Sequence, residues 1–277
     1  MPPEYFPRTT DLPTQSPLFW AAHKDRYLRQ LLIRDIESVT NRALIVYFAD
    51  DVSLQCQIDS GDDVQLAELL HACGTRPVDL MLETVGGMTD ATEKLCSILR
   101  ANNRDYRVVV PRRAKSNGTV IALSGSEIVM GVESELGPID PSFNNIPVEF
   151  ILNSPPGTIN PIEYQVAETF RKQTEKLARD MLKTGMLSGE DDGAIESLIG
   201  KIATRDHYHS HGSVISAEEA LKIGLKVNYL PSENDLWRKF TLLRAMYQYD
   251  CRQQSYLKIF EGAQTSLVVS AAPVSKS

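Results

Sequence analysis

The chain of 277 residues contains 42% hydrophobic and 23% charged residues, an ordinary globular composition that suits one large domain or two small ones. A formal net charge of −7 without a basic stripe argues against a nucleic-acid partner. The chain has no run of about 18 apolar residues, no apolar core of a secretory signal and no CxxC pair among its four cysteines. We therefore predict a reduced, cytoplasmic protein without a transmembrane segment.

The first half of the chain predicts an α/β sheet. Residues 1–17 are rich in Pro, Thr and Ser and are expected to form an irregular arm. Residues 18–38 predict an amphipathic helix that packs on its own domain or contacts another subunit. From residues 42–50 to residues 127–131, short apolar runs alternate with helical segments. This alternation predicts a parallel sheet covered by helices on both faces.

The second half changes character after the last of these strands. Turn-forming residues lead to a long helix predicted over 161–185, with a proline near its start and a glycine at its end. A second helix follows, and then a short helix closed by Gly224. We predict one domain over 18–262 and a disordered tail over 263–277, which ends in small and polar residues.

Two glycine-bearing turns follow neighbouring predicted strands, ETVGGMTDA at 83–91 and AKSNGT at 114–119. Ligands of open α/β sheets bind at the carboxyl ends of strands. The glycine pair Gly86–Gly87 is either a tight turn or a place where backbone N–H groups approach a substrate closely. Ser116 is either the N-cap of the next helix or a nucleophile beside such N–H donors. The spacing alone leaves both interpretations open.

Two further sets of side chains could take part in acid–base catalysis or in metal binding. Glu83 and Asp90 flank the glycine pair and could act as an acid–base pair, or be a strand-end residue and a helix cap. His207, His209 and His211 alternate, which would place them on one face of a strand. Three histidines suit zinc, so a metal site is an alternative for this segment, although no metal or cofactor is predicted.

Three segments carry a resemblance to a known family. VDLMLETVGG, RVVVPRRAKSNGTVIALSGSEIVMG and SELGPIDPSF resemble the serine dehydrogenase proteinase family, a branch of the Clp-protease, signal-peptide-peptidase and crotonase superfamily. The similarity extends from about Ser16 to Tyr229, and the AKSNGT…LGPIDP pair is quite specific. It implies an α/β Clp/crotonase-like spiral of ββα units with a helical C-terminal part. It also implies peptide-bond hydrolysis through a serine acyl-enzyme, and assembly into a homo-oligomer.

The resemblance assigns roles to individual residues. Ser116 falls at the nucleophile position, and Gly87 and Asn117 fall where backbone N–H groups form the oxyanion hole. Clp-type proteases place a histidine in the loop after the serine and an aspartate before the last helix. Here Asp140 and His211 lie near those two positions with the residue types exchanged. We expect His211 to be the general base, paired with Asp140.

Lysines are the alternatives for the base, because signal peptide peptidases use one. The corresponding stretch 144–160 contains no lysine, which leaves Lys115, Lys172 and Lys176. The predicted function is a serine-type endopeptidase acting on a peptide or protein, with no cofactor. Two other functions stay open: a crotonase-like acyl-CoA enzyme with the same oxyanion hole, and a non-catalytic scaffold or binding module.

Overall fold

The computed structural model describes residues 16–51, 54–101 and 105–271. The helices are α1 Pro17–Ala22, α2 Lys24–Thr40, α3 Asp62–Ala72, α4 Thr89–Arg100, α5 Asn117–Leu123, α6 Val148–Leu152, α7 Pro161–Thr184, α8 Asp192–Ile202, α9 Ala217–Ile223 and α10 Asp235–Gln254. The strands are β1 Ala43–Ala49, β2 Val78–Glu83, β3 Tyr106–Val110, β4 Arg113–Ala114, β5 Ile128–Met130, β6 Glu135–Leu136, β7 Ser142–Phe143, β8 Ile146–Pro147, β9 Val227–Tyr229, β10 Tyr256–Glu261 and β11 Ser266–Ser270.

A central sheet organises the described residues, with its strands in the order β11-β10-β1-β2-β3-β5-β9. Strands β1, β2, β3, β5 and β9 are parallel, whereas β10 and β11 are antiparallel to their neighbours. Strand β1 is a continuous apolar run, and every residue of β1 and β2 is buried, as expected where helices cover both faces of a parallel sheet. The predicted α/β class, a parallel sheet between two helical layers, is confirmed.

The two faces of β1 belong to two different parts of the core. Val46 and Phe48 pack in a cluster with Ile33 of α2 and Phe240 of α10. The alternate residue Tyr47 packs in the larger cluster on the opposite face, which includes side chains of α3, α4, α5 and α7. Successive side chains of a strand point to opposite faces, so one apolar strand fills both layers.

A second ladder of short pairings crosses the carboxyl edge of the central sheet. Ile58 pairs with Gly87, and Thr84 pairs with Ala114. Strand β4 pairs in turn with β6, which also contacts Ile215. These pairings connect the glycine pair, the turn before α5 and the segment before α9. They therefore position the residues of the candidate site, which are distant in the sequence.

The structure corrects the predicted chain ends. The predicted disordered tail is wrong for Ser266–Ser270, which forms β11, and residues 272–277 lie outside the described residues. The C-terminal part is helical through α10 as predicted, but β10 and β11 then extend the central sheet. The helix predicted over 18–38 is two helices that meet at His23. The predicted arm falls almost wholly on residues 1–15, outside the described part, and the limits of the domain stay a prediction.

Candidate active site

Ser116 occupies a strained turn between β4 and α5. Its backbone angles are φ 53° and ψ −123°, which a non-glycine residue rarely adopts and which cost about 1–3 kcal/mol. Its carbonyl accepts a hydrogen bond from Thr119 N at 2.8 Å, but its side chain makes no capping hydrogen bond. Ser116 is therefore the N-cap residue of α5 by position, as predicted, but its hydroxyl does not cap the helix. Strain of this kind concentrates at functional sites.

The glycine pair lies directly against this turn. Gly86 has φ 97°, and a Cβ atom there would lie 2.8 Å from Ser116 Cβ and 2.8 Å from Lys115 O. A Cβ atom on Gly87 would lie 2.4 Å from the backbone N of Ile58. All three distances are shorter than the contacts that real Cβ atoms make, so a larger residue at either position would displace the turn. The pair is thus a tight turn and a close approach at once.

Substitution of Gly86 tests this packing. Gly86→Ala should lower the free energy of unfolding through strain at positive φ and through overlap with Ser116. Gly189→Ala is a matched control, because Gly189 has φ 85° but no atom within 4 Å of its added Cβ. Since overpacking costs about 1–3 kcal/mol, urea unfolding should show Gly86→Ala to be less stable than Gly189→Ala by that amount. Equal losses in the two variants would contradict the close approach.

Two backbone N–H groups at these turns have no protein partner. Among the described residues, neither Gly87 N nor Asn117 N donates a hydrogen bond to a protein acceptor. The Asn117 side chain joins the two turns, because Nδ2 donates to Gly87 O at 2.6 Å and to Thr89 Oγ1 at 3.2 Å. The two free donors are consequently held by one connected set of hydrogen bonds next to Ser116.

His211 and Asp140 form a hydrogen-bonded pair near the same turns. His211 Nδ1 lies 2.7 Å from Asp140 Oδ1, and Asp140 is 4% exposed. Because a carboxylate can only accept, Nδ1 carries a proton, and in the neutral imidazole Nε2 then keeps its lone pair. The other carboxylate oxygen of Asp140 accepts from Arg205 Nε at 2.9 Å. Nε2 of His211 has no partner among the described residues.

Ser116 and the His211–Asp140 pair line one cavity of about 340 Å³. Phe170, Gln173 and Thr174 of α7 contribute another part of its wall. The remaining lining residues come from the two turns and the loop after β6: Gly87, Met88, Thr89, Asp90, Asn117, Ile139, Pro141 and Ser142. A hydroxyl, an imidazole with a free nitrogen and two amide donors therefore surround a common space large enough for a side chain and its flanking backbone.

Residues 43–259 match the family model of the ClpP-like SDH-type serine proteinases. The chain belongs to this family. Two proteins of Methanocaldococcus jannaschii that are similar to this chain are described as uncharacterized. One is 30% identical over 190 residues, which cover 65% of this chain and 61% of the relative. The other is 35% identical over 78 residues, which cover 28% of this chain and 27% of the relative. The chain thus spans about three fifths and about a quarter of their lengths.

Two solved structures of mutant proteins are similar to this chain. A ClpP1 mutant from Listeria monocytogenes gives a TM-score of 0.47 at 12% identity, covering 72% of this chain and 98% of that one. A mutant of the 1510-N membrane-bound stomatin-specific protease gives 0.43 at 22% identity, covering 66% and 79%. In the described part of this chain, no helix has the length and apolar character needed to cross a membrane.

The structure does not bring the three candidate lysines of this ClpP-like protein to the cavity. Lys115 Nζ donates to Leu136 O at 3.2 Å and to Ser213 O at 2.9 Å, so its ammonium joins backbone segments. Lys172 and Lys176 lie on the outer face of α7, where each pairs with a carboxylate on its own helix. None of the three lines the cavity.

The three alternating histidines do not form a metal site, and Glu83 and Asp90 do not form an acid–base pair. The segment of alternating histidines is not a strand: His207 contacts Glu219, and His209 contacts Arg205 O. No group of three metal-ligating side chains comes together among the described residues. Glu83 is buried and accepts two hydrogen bonds from Arg244, whereas Asp90 lines the cavity, so they form no acid–base pair.

Sequence analysis missed two contributors to the site. The Asn117 side chain contacts residues 28 and 30 positions away, and no local pattern indicates those contacts. Arg205 precedes the His-rich segment and looks like one more charged loop residue. Its partner Asp140 is 65 residues away, and no local pattern links the two.

Proposed function

We propose that this protein is a serine-type peptidase that cleaves peptide bonds through a Ser116 acyl-enzyme. The observation that carries the proposal is the shared cavity, into which Ser116 and the His211–Asp140 pair open beside two unpaired backbone N–H groups. An acyl-transfer site needs these parts: a nucleophile, a base and donors for the oxyanion. Membership of a serine proteinase family supports the same chemistry.

The proposed reaction has two stages. Ser116 Oγ attacks the substrate carbonyl carbon while His211 Nε2 accepts the hydroxyl proton. The N–H groups of Gly87 and Asn117 donate to the oxyanion of the tetrahedral intermediate. Protonated His211 then donates to the departing amine, which leaves the acyl group on Ser116. Water, deprotonated by the same imidazole, releases the acid and restores the hydroxyl.

Asp140 serves the reaction without accepting a proton. Its hydrogen bond to Nδ1 holds the imidazole in the tautomer that leaves Nε2 unprotonated. Its negative charge also stabilises the imidazolium formed during each stage. Since no lysine lines the cavity, a serine–lysine mechanism has no candidate among the lining residues.

We propose that the substrate is a peptide or another protein. We also propose that the enzyme acts without a cofactor, as a cytoplasmic homo-oligomer. The free edge of the cavity is bordered by Met88 and Phe170, which are 55% and 36% exposed. These apolar side chains support contact with extended substrate on either side of Ser116.

Labelling with a fluorophosphonate tests the proposal. An activated serine displaces fluoride and forms a stable phosphonyl ester, so intact mass should rise by one adduct and peptide mapping should place it on Ser116. Ser116→Ala should not be labelled. Ser142→Ala, which changes another serine of the cavity wall, is the control and should still be labelled. A folded wild-type protein without an adduct would favour the scaffold function. Competition by an acyl-CoA but not by peptides would favour the acyl-CoA enzyme.

A further inference from the structure

Arg205 and His211 each donate a hydrogen bond to a different carboxylate oxygen of Asp140. Arg205 Nε donates to Oδ2 at 2.9 Å, while His211 Nδ1 donates to Oδ1 at 2.7 Å. The Asp140 side chain is only 5% exposed and that of Arg205 18%, so solvent has little access to this contact. Each carboxylate oxygen thus has its own charged or polar partner, and the carboxylate plane is fixed from two sides.

Arg205 is itself held in place by several contacts. Its backbone N–H donates to Glu149 Oε2 of α6 at 2.7 Å, and its Nη1 donates to His209 O at 3.3 Å. The guanidinium carbon lies 5.3 Å from the centre of the Phe150 ring, a cation–π distance. One contact holds the backbone and two hold the guanidinium, whose Nε is directed at Asp140.

The backbone around the pair is joined as well. Ile139 N, next to Asp140, donates to Ile202 O at 2.7 Å, close to the end of α8 and three residues before Arg205. The contact between Arg205 and Asp140 is therefore part of the junction between the loop after β6 and the loop after α8. His211 lies on the second of these loops, six residues beyond Arg205.

We propose that Arg205 is a positioning residue that fixes the tautomer of His211 by holding Asp140. With Oδ2 occupied, Oδ1 stays directed at Nδ1 and accepts the hydrogen bond that Nδ1–H donates, which keeps the proton on Nδ1 and leaves Nε2 free for Ser116. Without Arg205, the buried carboxylate loses a charged partner and can rotate, so the ring is no longer held in one tautomer. The inference rests on the proposed function, since the tautomer matters to the reaction only if His211 accepts the Ser116 proton.

The kinetic test compares fluorophosphonate inactivation of wild type, Arg205→Gln and Arg205→Lys. Because a charged hydrogen bond is lost, the maximal inactivation rate kinact of Arg205→Gln should fall about tenfold to a hundredfold, with KI for the probe unchanged. Arg205→Lys should lose less, since an ammonium keeps the charge but not the planar fork. Arg179→Gln is the matched control, because Arg179 makes two contacts with Glu196 on the outer surface. It should leave kinact unchanged.

The second readout is the imidazole ¹⁵N spectrum, with the His211 signals assigned by their loss in His211→Gln. Wild type should show the Nδ1–H tautomer, and Arg205→Gln a mixture of tautomers. A folded Arg205→Gln with the wild-type tautomer and kinact would overturn the inference. If that variant does not fold, wild-type values of both readouts in Arg205→Lys would overturn it. The spectrum tests Arg205 even if wild type is not labelled, an outcome that rejects only the proposed function.

Discussion

Replacing His211 with alanine is expected to slow acylation of Ser116 by about 10²- to 10⁴-fold, the usual contribution of a positioned general base. A serine hydroxyl is a weak nucleophile, and among the cavity-lining residues His211 offers the free ring nitrogen that could accept its proton. The cavity and the amide donors should survive the change, so the probe should still bind. Stopped-flow or gel-based labelling rates should therefore show a fall in kinact and little change in KI.

His207→Ala is the matched control for this prediction. His207 and His211 are each 44% exposed and lie on the same loop, but His207 contacts Glu219 and does not line the cavity. Labelling of His207→Ala should match wild type. If His211→Ala is labelled as fast as wild type, the assignment of His211 as the base is wrong.

Replacing Lys258 with methionine is expected to give the largest loss of stability, about 3–5 kcal/mol at neutral pH. The Lys258 side chain on β10 is 0% exposed, and its Nζ lies 2.6 Å from Asp59 Oδ2 and 2.8 Å from Asp62 Oδ1. Tyr47 OH donates to the other Asp62 oxygen at 2.5 Å. Methionine fills a similar volume but leaves Asp62 as a buried charge without its cation. Urea unfolding measures the loss.

The loss in Lys258→Met should shrink as the pH is lowered. Burial raises the pKa of Asp62 above its ordinary value even in wild type, and the contact with Lys258 opposes that rise. Without Lys258 the folded state binds a proton at Asp62 more tightly than the unfolded chain does. Stability of the variant therefore rises as pH falls through the folded pKa, because protonation removes the buried charge.

Unfolding at pH 7 and pH 5.5 should therefore show a smaller difference from wild type at the lower pH. Lys222→Met serves as the control, because Lys222 forms an exposed pair with Glu218 on its own helix. Its stability should match wild type at both values. A loss of stability in Lys258→Met that is larger at pH 5.5 than at pH 7 would contradict the buried-charge account.

The ion pairs of Lys258 also lie close to the candidate site. Asp59 follows Ile58, whose backbone N donates to Gly86 O and whose carbonyl accepts from Met88 N.

Features that depend on neighbouring residues could be predicted from the amino-acid sequence. The apolar runs of β1, β2 and β3 alternate with helical patterns, and this local alternation fixes a parallel sheet between helices. The two glycine turns follow their strands directly, so their place at the sheet edge, and that of Ser116, could be predicted from spacing. The positive φ of Ser116 could not, because it is a property of the folded turn between β4 and α5.

Contacts between distant segments could not be predicted, because they form only when the chain is folded. The Asp140–His211 contact spans 71 residues and the Asp140–Arg205 contact 65, and chain folding alone selects these partners from many loop carboxylates and cations. Strand β10 was missed for the same reason. Its Lys258 and Glu261 look like surface charges in the sequence, yet both are buried against partners about 200 residues away. Burial of a charge depends on a partner, and a partner is a property of the fold.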